Sequence, residues 1–162
     1  MKTIVLVRHG KSSWDYEVSD KDRPLQLRGI KDAHLISEIY SREQLNLNMA
    51  YSSPANRALH TCMIFLRIWD FPLDKLEITD ALYDFSGDSV KSFIQDLDDD
   101  LEKVALFGHN YAFTELVNYW GDRSIENVPT SGLVEIKFDV PSWNKVSKGI
   151  INKVLFPKQL RK

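Results

Sequence analysis

The tripeptide Arg8-His9-Gly10 places an imidazole beside a permanent cation, directly after the apolar run Thr3–Val7. Such a run predicts a buried strand, and α/β proteins bind ligands beyond the carboxyl ends of such strands. An arginine pairs phosphate oxygens through its planar guanidinium, while a neutral histidine nitrogen can attack phosphorus. The motif therefore indicates phosphoryl chemistry, although so short a triplet is also typical of a surface turn.

Two further segments place an Arg or a His at an equivalent position. Arg57 follows a second candidate strand, in the turn that leads into a helix, and His109 follows a buried strand at 104–107. Carboxyl ends of parallel strands meet at one edge of a sheet, so Arg8, His9, Arg57 and His109 can converge on one pocket. Their cations suit a phosphoryl group, whose transition state spreads negative charge over its oxygens. Taken alone, Arg57 could be a surface charge and His109 a buried structural imidazole.

The pattern of apolar residues predicts alternating strands and helices that would position these side chains. The first strand is expected to be central, because it is apolar on both faces. Residues 134–138 alternate apolar and polar, which predicts one polar face and an antiparallel partner at 150–156. The other predicted strands are 49–52, 75–79 and 104–107, and the predicted helices are 29–43, 54–69, 88–97 and 111–120. We expect a single domain over residues 1–162, a three-layer α/β sandwich with a mostly parallel sheet and a late antiparallel strand pair.

Composition excludes several classes of partner. The chain has 43% hydrophobic and 27% charged residues with a formal net charge of −2, so neither nucleic acid nor an anionic membrane is expected to bind it. Cys62 is the single cysteine, and no apolar run has the length of a signal sequence or a membrane span, which predicts a cytoplasmic protein. His34 and His60 have no ligand spacing, so no metal site is expected. The basic tail at 158–162 is expected to be a solvated end.

Four ordered blocks of the chain lie at residues 6–14, 22–29, 52–61 and 106–110. Together they resemble the histidine phosphatase superfamily, also called the phosphoglycerate mutase-like or R-H-G family, and the resemblance covers nearly the whole chain. The compact length and the block Asp22-Arg23-Pro24-Leu25 are also similar to its branch of SixA-like phosphohistidine phosphatases.

The resemblance implies a phosphoglycerate mutase-like fold in which His9 is the nucleophile and forms a phosphohistidine intermediate that water hydrolyses. It implies that Arg8 and Arg57 hold the phosphate oxygens and that His109 donates a hydrogen bond to phosphate. It also implies no cofactor and no metal, because the cationic side chains stabilise the developing charge. One nitrogen of His9 must then be unprotonated while the other is held, commonly by a backbone carbonyl.

The chain departs from larger relatives at the position of their general acid. Those relatives carry a Glu after the third strand, whereas the corresponding residues here are Leu82-Tyr83-Asp84-Phe85. Asp84 could replace that acid or bind substrate, but a loop carboxylate is more often a turn or cap residue. Lys11 could attract phosphate, although a loop lysine is usually only solvated. The absence of a general acid favours a phosphohistidine substrate. An alkoxide leaving group needs a proton in the transition state, whereas the phosphoramidate bond to an imidazole is labile.

Three hypotheses therefore remain open. The leading one is a phosphatase acting through His9 on a phosphohistidine-bearing protein, and a shallow, open cleft would support it. The alternative enzyme is a phosphomonoesterase for a small phosphorylated metabolite, which needs a deeper pocket and a working acid. The third is a non-catalytic phosphate-binding module, although a binder needs no nucleophile such as His9.

Overall fold

The chain folds around one six-stranded sheet, described for residues 1–161 in a computed structural model. The strand order is β3-β2-β4-β1-β5-β6. Strands β1 to β4 are mutually parallel, whereas β5 runs antiparallel to both β1 and β6. The strand bounds are β1 Lys2–Arg8, β2 Met49–Ser52, β3 Leu76–Ile78, β4 Lys103–Gly108, β5 Leu133–Phe138 and β6 Ile150–Leu155. The predicted mostly parallel sheet with a late antiparallel pair is confirmed.

Helices cover both faces of this sheet, which confirms the predicted three-layer architecture. The helices are α1 Leu27–Tyr40, α2 Asn56–Ile68, α3 Asp88–Gln95, α4 Ala112–Trp120 and the short α5 Pro157–Leu160. Helices α1 and α2 share one apolar cluster with the sheet, while α3 and α4 share the other. No helix among residues 1–161 is both long enough and apolar enough to span a membrane.

Strand β1 is buried on both faces, which explains its unbroken apolar sequence. Ile4 and Leu6 pack into the cluster on the α3 and α4 side. Val5 and Val7 pack into the cluster on the α1 and α2 side. The strand lies between β4 and β5, so the prediction that it is central is confirmed.

The pairing of β1 with β4 sets the position of the residues that follow both strands. Arg8 lies opposite Gly108 in the parallel register. The backbone N–H of His9 then donates to the carbonyl of Gly108 at 3.0 Å. The histidine after each strand is thereby held at the same edge of the sheet.

Two polar segments make contacts that the sequence pattern does not show. On the polar face of β5 Lys137 is exposed, but Glu135 is buried, where Tyr40 at the end of α1 and Asn152 on β6 donate hydrogen bonds to its carboxylate. The basic tail is also not a free end. Arg161 donates to both carboxylate oxygens of the buried Asp32, at 3.0 and 2.5 Å, and Lys162 lies outside the described residues.

The loop after β1 packs directly on the start of α1 through two glycines. A Cβ atom on Gly10 would lie 2.9 Å from the carbonyl oxygen of Gly29. A Cβ atom on Gly29 would lie 2.8 Å from the backbone nitrogen of Lys11. Only glycine therefore permits this backbone approach beside His9.

We predict that Gly29→Ala lowers the free energy of unfolding by about 1–3 kcal/mol, because the new methyl group overlaps the backbone of the loop. Alanine in place of a helical glycine would by itself stabilise the protein. A loss of stability in Gly29→Ala therefore indicates that the new methyl group overlaps the loop. Lys31→Ala, at an exposed position of the same helix, is the control and should change stability by less than about 0.5 kcal/mol. Urea unfolding measures both variants, and a Gly29→Ala protein as stable as wild type would contradict the prediction.

Candidate active site

The loop that follows β1 holds the His9 ring in one orientation. Its Nδ1 atom lies 2.7 Å from the carbonyl oxygen of Gly10, which can only accept, so the ring proton resides on Nδ1. The Nε2 atom of the neutral ring is then unprotonated and carries a lone pair. Only 8% of His9 is exposed, so the ring has the tautomer and the shielded setting of a nucleophile.

Thr61 on α2 ties this loop to the helix that carries Arg57. Its hydroxyl accepts a hydrogen bond from the backbone N–H of Gly10 at 2.9 Å. The same hydroxyl donates to the carbonyl of Arg57 at 2.7 Å. One buried side chain thus couples the backbone beside His9 to the first turn of α2.

His109 lies on the floor of the same site. It is fully buried, and its ring centroid is 5.3 Å from that of His9. Its Nε2 atom is 2.8 Å from the hydroxyl of Ser53, which also accepts from the backbone N–H of Ala55. Within residues 1–161 the buried Nδ1 has no hydrogen-bond partner. In the tautomer in which Ser53 donates to Nε2, the proton of the neutral ring lies on Nδ1 and can be donated to a bound oxyanion.

Two arginines complete the cluster. Arg57 is 2% exposed, and Arg8 is partly buried with one Nη1 donating to the carbonyl of Val128 at 3.0 Å. Burial and the neighbouring Arg57 lower the pKa of Arg8, yet an arginine stays charged at neutral pH. Two fixed cations therefore flank the two imidazoles.

Both imidazoles are held neutral by their surroundings. Burial, with smaller effects from Arg8 and Arg57, lowers the pKa of His9 to about 3. Burial and nearby positive charge likewise lower the pKa of His109 to about 3. The unprotonated Nε2 of His9 is consequently the prevailing form at neutral pH.

The structure brings Arg8, His9, Arg57 and His109 together, as their positions after the strands predict. The other two candidate residues, Lys11 and Asp84, have different surroundings. Lys11 is exposed. Asp84 caps α3, because its two carboxylate oxygens accept from the backbone N–H groups of Ser86, Gly87 and Val90 at 3.1 Å. These hydrogen bonds hold the Asp84 carboxylate at the start of α3.

Sequence reasoning missed the group that contacts Arg57. Asp20 lies in a 3₁₀ turn at Asp20–Asp22, and its carbonyl and carboxylate accept from Arg57 at 2.5 and 3.0 Å. The hydroxyl of Tyr83 also donates to Asp20 at 2.5 Å. Asp20 lies in a loop with no periodic pattern, so no signal pointed to it. Ser53 did stand in a recognised block, where it predicted a helix start at Pro54, whereas α2 begins at Asn56.

The model of the histidine phosphatase superfamily (branch 1) matches residues 4–88. The chain belongs to the histidine phosphatase superfamily. The matched region contains Arg8, His9 and Arg57, while His109 lies beyond it and is placed by the fold.

The curated relatives match less than half of this chain, whereas the solved structures match nearly all of it. A 2,3-bisphosphoglycerate-dependent phosphoglycerate mutase of Porphyromonas gingivalis is 35% identical over 81 residues, which are 46% of this chain and 33% of the mutase. The mutase of Azorhizobium caulinodans is 32% identical over 68 residues, which are 40% of this chain and 33% of that protein. This member of the superfamily therefore matches about a third of the length of those curated relatives.

Among solved structures, the protein histidine phosphatase SixA complexed with tungstate has a TM-score of 0.83 at 21% identity, covering 98% of this chain and 99% of that one. A protein assigned as the phosphohistidine phosphatase SixA of Agrobacterium tumefaciens has a TM-score of 0.79 at 22% identity, covering 95% and 97%. These similarities establish the phosphoglycerate mutase-like fold that the sequence predicted.

We predict that the rings of His9 and His109 stay neutral well below the ordinary histidine range. A lowered pKa means that each ring protonates only as the pH falls towards about 3. The unfolded chain takes up these protons near pH 6.5, so the corresponding stability is present above that pH and is lost as the pH falls towards the folded values. Ring ¹⁵N shifts in an NMR titration should be constant from about pH 8 to about pH 5, and a midpoint above pH 5 for either ring would contradict the prediction.

Proposed function

We propose that this protein is a phosphatase that transfers a phosphoryl group to Nε2 of His9 and then hydrolyses the phosphohistidine. The observation that carries the proposal is the state of that ring: its Nδ1 is bonded to the Gly10 carbonyl at 2.7 Å, and its Nε2 is unprotonated. Arg8 and Arg57 lie beside the ring as fixed cations that stabilise the charge developing on phosphate oxygens. His109, whose buried Nδ1 has no partner within residues 1–161, completes the oxyanion site as a donor from that nitrogen.

The two chemical steps balance without a separate acid. The lone pair of Nε2 forms a bond to phosphorus while the bond to the leaving group breaks and its electrons depart with that group. Water then forms a bond from its oxygen to phosphorus, and the electrons of the breaking N–P bond return to Nε2. Both hydrogens of the water leave with the phosphate, and the neutral His9 ring is restored with its proton still on Nδ1.

We propose a protein-borne phosphohistidine as the substrate. An imidazole that enters with its second nitrogen protonated leaves as a neutral ring, so no side chain has to supply a proton. This suits a site in which Asp84 is committed to capping α3. The loops around the site also carry exposed aromatic side chains, including Trp14 at 76%, Tyr111 at 53% and Phe85 at 45% exposure. Such an open rim admits a phosphoryl group mounted on another protein.

The alternative is a phosphomonoesterase for a small metabolite. It is favoured by one observation: curated relatives that are 32–35% identical over part of this chain are 2,3-bisphosphoglycerate-dependent phosphoglycerate mutases. An ester substrate would leave as an alkoxide and would need a proton donor. The two activities can therefore be separated by the leaving group that the protein prefers.

We predict that His9→Ala abolishes turnover, because it removes the nucleophile, and that Arg57→Ala slows it by about 100-fold or more, as expected for a lost transition-state donor. The assay presents a phosphohistidine-bearing phosphotransfer domain and, separately, a panel of phosphomonoesters, with EDTA in both. Rapid loss of phosphohistidine with slow ester hydrolysis supports the proposal.

The opposite preference would transfer the assignment to a metabolite phosphatase. Turnover by His9→Ala near the wild-type rate would overturn the mechanism. Wild-type protein that binds inorganic phosphate but turns over neither substrate would be a phosphate-binding module. His34→Ala, at an exposed position on α1, is the control for loss of a histidine elsewhere.

A further inference from the structure

Asp20 stands at the mouth of the site. Its side chain is 43% exposed, whereas His9 is 8% exposed and His109 is fully buried. The carboxylate accepts from Arg57 at 3.0 Å, from Tyr83 at 2.5 Å and from Arg23 at 3.2 Å. The two histidines thus form the floor of the site, and Asp20 forms part of its entrance.

The contacts of Asp20 keep it ionised. Partial burial acts against ionisation, but hydrogen bonds from Tyr83 and Arg57 outweigh it and lower the pKa of Asp20 to about 2. A carboxyl group with this pKa is a carboxylate at neutral pH and has no proton to give. Asp20 is therefore unsuited to be the general acid for an ester, although it touches the residue that would hold the phosphate.

The line of the reaction directs the leaving group away from His9 and towards solvent, the side on which the exposed Asp20 carboxylate lies. In phosphoryl transfer the attacking and departing atoms lie roughly in line, on opposite sides of phosphorus. The attack comes from His9 on the floor, so the leaving group departs towards the mouth. A negative charge there attracts a cationic leaving group and repels an anionic one.

We propose that Asp20 is a specificity-determining residue whose carboxylate accepts a hydrogen bond from the protonated ring nitrogen of the phosphohistidine substrate. The inference rests on the proposed function and names how that site selects its substrate. The N–P bond of the substrate breaks as the bond from His9 Nε2 to phosphorus forms. The electron pair stays on the substrate nitrogen, and the proton facing Asp20 stays on the other nitrogen, so a neutral imidazole departs.

The same carboxylate disfavours phosphate esters. An alkoxide or phenoxide gains negative charge as it departs, and Asp20 would repel that charge without supplying a proton. Selectivity then comes from a repulsive element as well as from an attractive one. Arg57 keeps a second contact to Asp20 through the backbone carbonyl at 2.5 Å, so neutralising the carboxylate does not remove all support from Arg57.

The test compares Asp20→Asn with Asp22→Asn. Asparagine retains an acceptor for Arg57 and removes the charge. Asp22 lies in the same 3₁₀ turn, is exposed, and bonds only to Ser19 through its side chain in the described structure, so its variant makes the same change in net charge away from Arg57. Rates are measured on a phosphohistidine-bearing phosphotransfer domain and on 4-nitrophenyl phosphate, and tungstate inhibition reports whether the oxyanion site is assembled.

We expect Asp20→Asn to lower kcat/KM for phosphohistidine by about 10-fold or more, as for a lost hydrogen bond between charged groups. We expect kcat/KM for 4-nitrophenyl phosphate to rise and tungstate to inhibit more strongly, because a negative charge beside Arg57 is gone. Asp22→Asn should leave the ratio of the two rates at its wild-type value.

An equal loss on both substrates, with weaker tungstate inhibition, would show that Asp20 only positions Arg57 and would overturn the inference while the proposed function stands. An unchanged ratio of rates would overturn it in the same way. A wild-type protein inactive on phosphohistidine would overturn the proposed function and this inference with it.

Discussion

The parallel pairing of β1 with β4 is the constraint on which the rest of the site depends. It sets Arg8 opposite Gly108, so the residues that follow both strands, His9 and His109, emerge side by side with ring centroids 5.3 Å apart. The adjacent strand β2 extends the same edge, where the backbone of Ser53 donates to the carbonyl of Phe107 at 2.9 Å. Three strand ends therefore bring together His9, the neighbouring imidazole of His109 and the turn that leads to Arg57.

Burial and charge act together on the chemistry of this edge. Removing the imidazoles from water beside two arginines favours their neutral forms, which keeps a lone pair on Nε2 of His9. Buried cations need compensation, and Asp20 provides it for Arg57 at the solvent side. The arrangement gives a positive floor for phosphate oxygens, with the arginine-paired carboxylate of Asp20 at its solvent side. The phosphohistidine substrate that we propose depends on this arrangement.

The sequence predicted those parts of the molecule that depend on local pattern. The apolar run of β1, the strand before His109 and the helical spacing of α1 follow from periodicity. The family resemblance implied that one ring nitrogen of His9 is held, but not which one. Contacts between distant segments could not be read in this way. Asp20 contacts Arg57 because the loop folds over the start of α2. The buried carboxylate of Glu135 is bonded by Tyr40 from α1 and by Asn152 from β6, which are distant from it in sequence. For Asp84 the sequence alone left both a role at the substrate and a capping role open, because its bonds to the start of α3 depend on the folded loop.

The central claim is that Nε2 of His9 receives the phosphoryl group while Nδ1 stays bonded to Gly10. The most direct test is ¹⁵N and ³¹P NMR of the phosphorylated protein, labelled at the histidine rings and trapped with substrate. We predict one-bond coupling of phosphorus to Nε2 of His9 and a proton on Nδ1 of the same ring. Coupling to Nδ1, or phosphorus on any other residue, would contradict it.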